Sequence, residues 1–182
     1  MRGGVWGSLR NNVRDVVFGL EDSLVSTLGT VTGVAVGTQD SFYVVLTGIV
    51  LVFVEAISMT AGSYLSSKSA KELYDKRAKR RHTPNMSGTP VVAAMFMCVF
   101  YLLGGFFTFA PYLFLRVDLA IPVTIGMTLV ALFLVGVFKA KLTGSNIWRS
   151  GLEMFVVSTA AAGIGYGLGI VVPILFRATV TL

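Results

Sequence analysis

Two acids stand in apolar sequence where elementary physics disfavours them: Asp22, in VFGLEDSLVSTLG, and Glu55, in VFVEAISMTAGSYLSS. A carboxylate inside a membrane costs roughly 3 kcal/mol on insertion scales, so such an acid marks an ion or proton pathway unless packing alone retains it. Met59 follows Glu55 by one helical turn, and Gly62 and Ser66 continue the stripe. Asp22, Ser26, Gly29 and Gly33 share a second helical face, at i, i+4, i+7 and i+11. Carboxylate oxygen suits hard and borderline divalent ions, whereas thioether sulfur adds nothing for magnesium or calcium. The mixture predicts a transition metal, ferrous iron or manganese, held by Asp22, Glu55 and Met59. A carboxylate in a low-dielectric setting persists either protonated or beside a cation, so metal entry would displace protons and couple the two fluxes.

The elements that position these groups are predicted to span a membrane. Of 182 residues, 54% are hydrophobic and 13% charged, and the mean hydropathy is +0.78, too apolar for a soluble domain. Five spans are predicted, at about 16–38, 42–66, 90–115, 119–138 and 151–176, each long enough to cross about 30 Å of hydrocarbon. The fold class is therefore all-α, a polytopic protein forming one transmembrane domain over 1–182. Turn residues join the spans at Gly37-Thr38-Gln39-Asp40, at Arg116-Val117-Asp118 and at Lys141 to Asn146. The one long linker, 67–89, carries Lys68, Lys71, Lys76, Arg77, Lys79, Arg80, Arg81 and the lone histidine, His82. With the N-terminus in the cytoplasm, that side also holds Arg2, Arg10, Arg14, Lys139, Lys141 and Arg149, against Arg116 and Arg177 opposite. This asymmetry predicts a cytoplasmic N-terminus and a C-terminus on the other side. It also accounts for the net charge of +6 through topology and anionic headgroups, without nucleic acid. The N-terminal stretch lacks an apolar core ending in a small-residue cleavage site, so no cleaved signal peptide is expected.

Gly29, Gly33 and Gly37 form a double GxxxG, the spacing that lets helix backbones approach closely in lipid. A dimer contact is expected there, and a parallel two-fold dimer would double the few ligands one chain offers. Antiparallel pairing of the first two spans would bring Asp22 and Glu55 onto one face. Glu21 points about 100° away from Asp22. It is either a pathway group or an interfacial carboxylate paired with Arg10 or Arg14. The competing reading holds Asp22 and Glu55 by hydrogen bonds to Ser26, Ser58 or the backbone, as packing determinants of a membrane scaffold. Gly163, Gly165, Gly167 and Gly169 do not fit a phosphate-loop spacing and read as helix packing. The match of Ser26-Thr27 and Gly37 with Ser158-Thr159 and Gly169 is attributed to chance. Cys98, alone in an apolar run, offers no disulfide. No HExxH or GxSxG occurs, so a secondary transporter is expected rather than an enzyme, with no resident cofactor.

The sequence also resembles the vacuolar iron transporter family, five-span exchangers of divalent metal and protons. Arg14 to Gly19 followed by Asp22-Ser23-Leu24-Val25-Ser26-Thr27 is similar to the family's first-span signature, which usually reads DGLVS. Ser58-Met59 with Gly62 and Tyr64-Leu65-Ser66 is similar to the second-span pattern SMxxGEYxS. Lys139 to Gly144 and Arg149-Ser150-Gly151-Leu152 resemble the segment joining the last two spans. The resemblance implies a homodimer with a metal pathway between the first and second spans of both subunits. It places Asp22 and Met59 at ligand positions and Asp15 near the cytoplasmic entrance. It implies export of ferrous iron, or manganese, from the cytoplasm in exchange for protons, across a cell membrane in a prokaryote or a vacuolar-type membrane in a eukaryote. Ser23 replaces the family glycine, Ser63 replaces the Glu of GEY, and Glu55 adds an acid where the family usually has an uncharged residue. The short basic linker stands where plant and yeast members carry a Glu-rich metal-binding domain, as in the nodulin-like branch; Glu72 and Asp75 are its possible remnants.

Overall fold

A computed structural model describes residues 12–81 and 89–180, and every element among them is helical. Arg2, Arg10 and His82 lie outside the described residues. The elements are α1 (Val13–Thr38), α2 (Ser41–Arg81), α3 (Pro90–Phe109), the single turn α4 (Pro111–Phe114), α5 (Val117–Thr143) and α6 (Ile147–Val180). Among the described residues four helices are long and apolar enough to cross a membrane, over Ser41–Lys76, Pro90–Phe109, Val117–Thr143 and Ile147–Phe176. The chain is an integral membrane protein.

α1 is not among those four, for a reason visible in its surroundings. It packs against α2, α3, α5 and α6, so protein rather than lipid is its solvent. A helix in that position needs small and hydroxyl-bearing faces more than bulk hydropathy, and Ser23, Thr27 and Thr32 are fully buried on it.

Close approaches set the helix directions. Gly19 of α1 lies against Met97, and Ser23 against Gly104, so α3 runs parallel to α1. Gly48 of α2 lies against Phe109 and Val52 against Gly105, so α2 runs opposite to α3. Val31 and Ala35 share an apolar cluster with Val117 and Ala120. Val17 and Leu24 share another with Leu132 and Val135, so α5 is antiparallel to α1. α1, α3 and α6 point one way, α2 and α5 the other.

Local chemistry explains the boundaries. The α1–α2 turn carries Gln39 at φ 54°, and Asp40 Oδ1 accepts the Phe42 amide at 2.8 Å, capping α2. The predicted third span is broken after Phe109 because Pro111 brings no amide proton to continue the ladder. α5 stops at Gly144, whose φ of 71° is the left-handed closure that glycine takes readily. α6 begins earlier than predicted because Asn146 Oδ1 accepts the amides of Trp148 and Arg149 at 3.0 and 3.2 Å. The largest departure is in the predicted linker, where α2 continues unbroken to Arg81. Residues 66–81 contain no Gly or Pro and several strong helix formers.

The glycine stripe of α1 lies elsewhere than predicted. A Cβ on Gly29 would meet the Ala161 carbonyl oxygen at 3.3 Å, on Gly33 that of Gly165 at 2.9 Å and on Gly37 that of Gly169 at 3.2 Å. Gly29, Gly33 and Gly37 thus pack inside one chain against α6, which leaves the closest side of that stripe unavailable for a dimer contact. The constant offset also brings the Ser26-Thr27…Gly37 stretch into register with Ser158-Thr159…Gly169, so a match attributed to chance coincides with the packing of two parallel helices.

Candidate functional site

The antiparallel pairing of α1 and α2 is documented by two hydrogen bonds between them. Ser63 Oγ donates to Asp15 Oδ1 at 2.7 Å near the end that carries Arg14 and Lys68. Further in, Ser26 Oγ donates to Glu55 Oε2 at 3.0 Å. Between these two rungs lie Asp22 on α1 and Met59 on α2, both half-buried. Asp22 and Glu55 are close enough for their charges to repel each other across the interface. That repulsion, in a low-dielectric setting, is relieved by a cation or a proton between them.

A residue absent from the sequence reading completes the cluster. Tyr101 of α3 is fully buried, its hydroxyl donates to the same Glu55 Oε2, and it lies 3.1 Å from Ser26 Oγ. The usable signal was a phenol in the middle of an apolar span, because a buried tyrosine hydroxyl needs a polar partner. Gly104 and Gly105 let α3 approach α1 and α2 closely enough for Tyr101 to reach both.

The other predicted residues separate. Glu21 faces away from Asp22 and is attracted to Lys139 of α5. It lines a 270 Å³ groove with Arg14, Lys139 and Thr143. Lys139 of α5 thus joins the expected Arg14 as a neighbouring cation, while Arg10 lies outside the described residues. Gly62 is exposed, with nothing within 4 Å of where a Cβ would stand, and Ser58 and Ser66 are exposed beside it. Ser58 makes no hydrogen bond to either acid among the described residues, so of the packing partners considered only Ser26 is realised. Glu55 and Ser63 are two turns apart, about 12 Å along the axis. Glu55 therefore occupies a different station from the family acid missing at Ser63. A second groove, of 380 Å³ between α1 and α6, is lined by Gly33, Gly37, Leu168 and Pro173 and contains no acid.

Among the described residues no three His, Cys, Asp or Glu side chains converge as a metal-binding group. One chain supplies two carboxylates and a thioether, and Tyr101 with Ser26 occupies part of one carboxylate. These groups lie on a face that Gly62 leaves open.

Several known proteins are similar to the chain over most of its length. "Vacuolar iron transporter 1" of Oryza sativa subsp. japonica is 24% identical over 211 aligned positions, covering 86% of this chain and 83% of the rice protein. Its namesake in Arabidopsis thaliana is 27% identical over 214 positions, covering 88% and 86%. An uncharacterised protein of Methanocaldococcus jannaschii is 24% identical over 165 positions, covering 84% and 85%. The plant alignments run over more positions than this chain contains, so the plant proteins carry insertions relative to it. The VIT family's sequence model matches in two pieces, residues 13–86 and 81–170, which meet in the linker after α2. Matched on both sides of that junction and over most of its length, the chain belongs to the VIT family.

Proposed function

We propose that this protein is a divalent transition-metal transporter that moves ferrous iron out of the cytoplasm in exchange for protons. The observation that carries the reading is the apposition of Asp22 and Glu55 across the α1–α2 interface, with Met59 one turn from Glu55. Two acids on facing stripes inside a membrane protein repel each other when both are charged, and a proton or a cation between them relieves that cost. Binding a metal there releases protons, and reprotonation on the far side releases the metal. The names of the plant relatives support iron as cargo.

The transporting unit is a parallel two-fold dimer whose subunits meet along the α1–α2 face. Glu55 and Met59 are only half-buried within one chain, and Ser58, Gly62 and Ser66 are exposed beside them. A carboxylate and hydroxyls facing lipid are costly, and a second copy would cover them while doubling the ligands. Five crossings, with α1 as the enclosed one, fit the alternation of helix directions. The cations Arg14, Lys68, Lys71, Lys76, Lys139, Lys141 and Arg149 then share the cytoplasmic side.

Proteoliposomes test this directly. Metal-driven proton flux should be lost in Asp22→Asn, Glu55→Gln and Met59→Ala while each variant remains dimeric in detergent. Full transport by all three variants would overturn the mechanism, and flux driven by manganese but not by ferrous iron would reassign the cargo.

A further inference from the structure

Glu55 is bound in an unusual way for a metal ligand. Each oxygen of an ionised carboxylate offers about two lone-pair sites to donors or cations. At Oε2 both are taken, one by the Tyr101 hydroxyl and one by the Ser26 hydroxyl. The two hydroxyls are themselves 3.1 Å apart, so the three groups close a triangle drawn from α1, α2 and α3. Tyr101 has no room to swing out. Its side chain is fully buried. Oε1, by contrast, accepts no hydrogen bond among the described residues.

We infer that Tyr101 and Ser26 make Glu55 a one-oxygen ligand, and that this sets the pathway against calcium in favour of smaller first-row divalent ions. The inference rests on the transporter reading and assigns Tyr101 as a positioning residue that acts through Glu55. Calcium takes six to eight oxygens and commonly uses both oxygens of a carboxylate. First-row transition ions accept fewer ligands, and the softer among them tolerate sulfur. With Oε2 blocked in each subunit, a two-fold site offers one oxygen per Glu55, together with Asp22 and the Met59 sulfur. That set is too poor in oxygen for calcium and adequate for ferrous iron or manganese. Selectivity then follows from which lone pairs the protein has already filled, in addition to which residues line the path.

The test uses purified full-length protein, with manganese and calcium as probes and melting temperature as the binding readout, followed by calcium competition of manganese flux in proteoliposomes. Tyr101→Phe keeps the ring and removes the donor; Ser26→Ala removes the other donor independently. Each should raise calcium affinity relative to manganese about tenfold, the scale of one charge-assisted hydrogen bond. The double variant should exceed either, and Glu55→Gln should erase the difference. A purely structural tyrosine would lower metal-free melting without moving the calcium-to-manganese ratio. An unchanged ratio in both single variants, with manganese still bound, overturns the inference and leaves the transporter reading standing. A wild-type protein that neither ion stabilises overturns both.

Discussion

Gly33 and Gly165 leave no space for a side chain between α1 and α6, since a Cβ on Gly33 would lie 2.9 Å from the Gly165 carbonyl oxygen. The contact joins two parallel helices far apart in sequence. It fixes α1 in the centre of the bundle, and with it the depth at which Asp22 sits.

Gly33→Val should therefore destabilise the fold by about 2 kcal/mol or more, because backbone on the facing helix cannot move aside. Gly126→Ala, in open space on α5, should be neutral or slightly stabilising, since alanine is the better helix former. Melting curves in detergent separate the two. A Gly33→Val protein that melts normally but loses its dimer would return the stripe to a subunit interface.

The neighbours Glu21 and Asp22 should behave differently despite their adjacency. Glu21 shares a groove with Lys139, whereas Asp22 feels the charge of Glu55. Glu21→Gln should leave metal flux within about twofold of wild type, since Glu21 lines a separate groove with Lys139, while Asp22→Asn abolishes it. Equal loss in both variants would place Glu21 in the pathway.

At the entrance, Ser63→Glu restores the acid usual in the family beside Asp15, which now accepts the Ser63 hydroxyl at 2.7 Å. Two acids at the mouth attract divalent ions more strongly than one. The half-saturating metal concentration should fall about threefold at low ionic strength, and the gain should shrink with added salt. Flux titrations at two salt concentrations measure both effects.

Buried threonines make a different kind of prediction. Thr38, Thr60, Thr108, Thr143, Thr159 and Thr179 donate to the carbonyl one turn back. Thr27, Thr32 and Thr128 are fully buried and have no hydrogen-bond partner for their hydroxyls among the described residues. Replacing each with the near-isosteric valine should be neutral or stabilising by up to about 1 kcal/mol. A loss of more than that on melting would show that these hydroxyls are hydrogen-bonded in the membrane.

Much of this architecture was legible in the residues. The helical class follows from hydropathy, and the shared face of Asp22, Ser26, Glu55 and Met59 follows from period 3.6 and a short turn. The reach of α2 was misjudged because a charged stretch reads as a linker when hydropathy is the guide, although its helix propensity is high. The partner of the glycine stripe was not legible, because GxxxG states that a close contact exists and not which helix supplies it. Tyr101 was missed for a related reason. Its role depends on the height at which α3 stands beside α2, and that register is set by Gly104, Gly105 and Val52, which no local pattern encodes.

α2 is one uninterrupted rod from Ser41 to Arg81, with no proline along it, and residues 67–81 would project about 20 Å beyond the hydrocarbon. Lys68, Lys71 and Lys76 ride on the same rod as Glu55 and Met59. The charged end and the level of the acid thus belong to one helix with no break between them, and neither can be repositioned without the other.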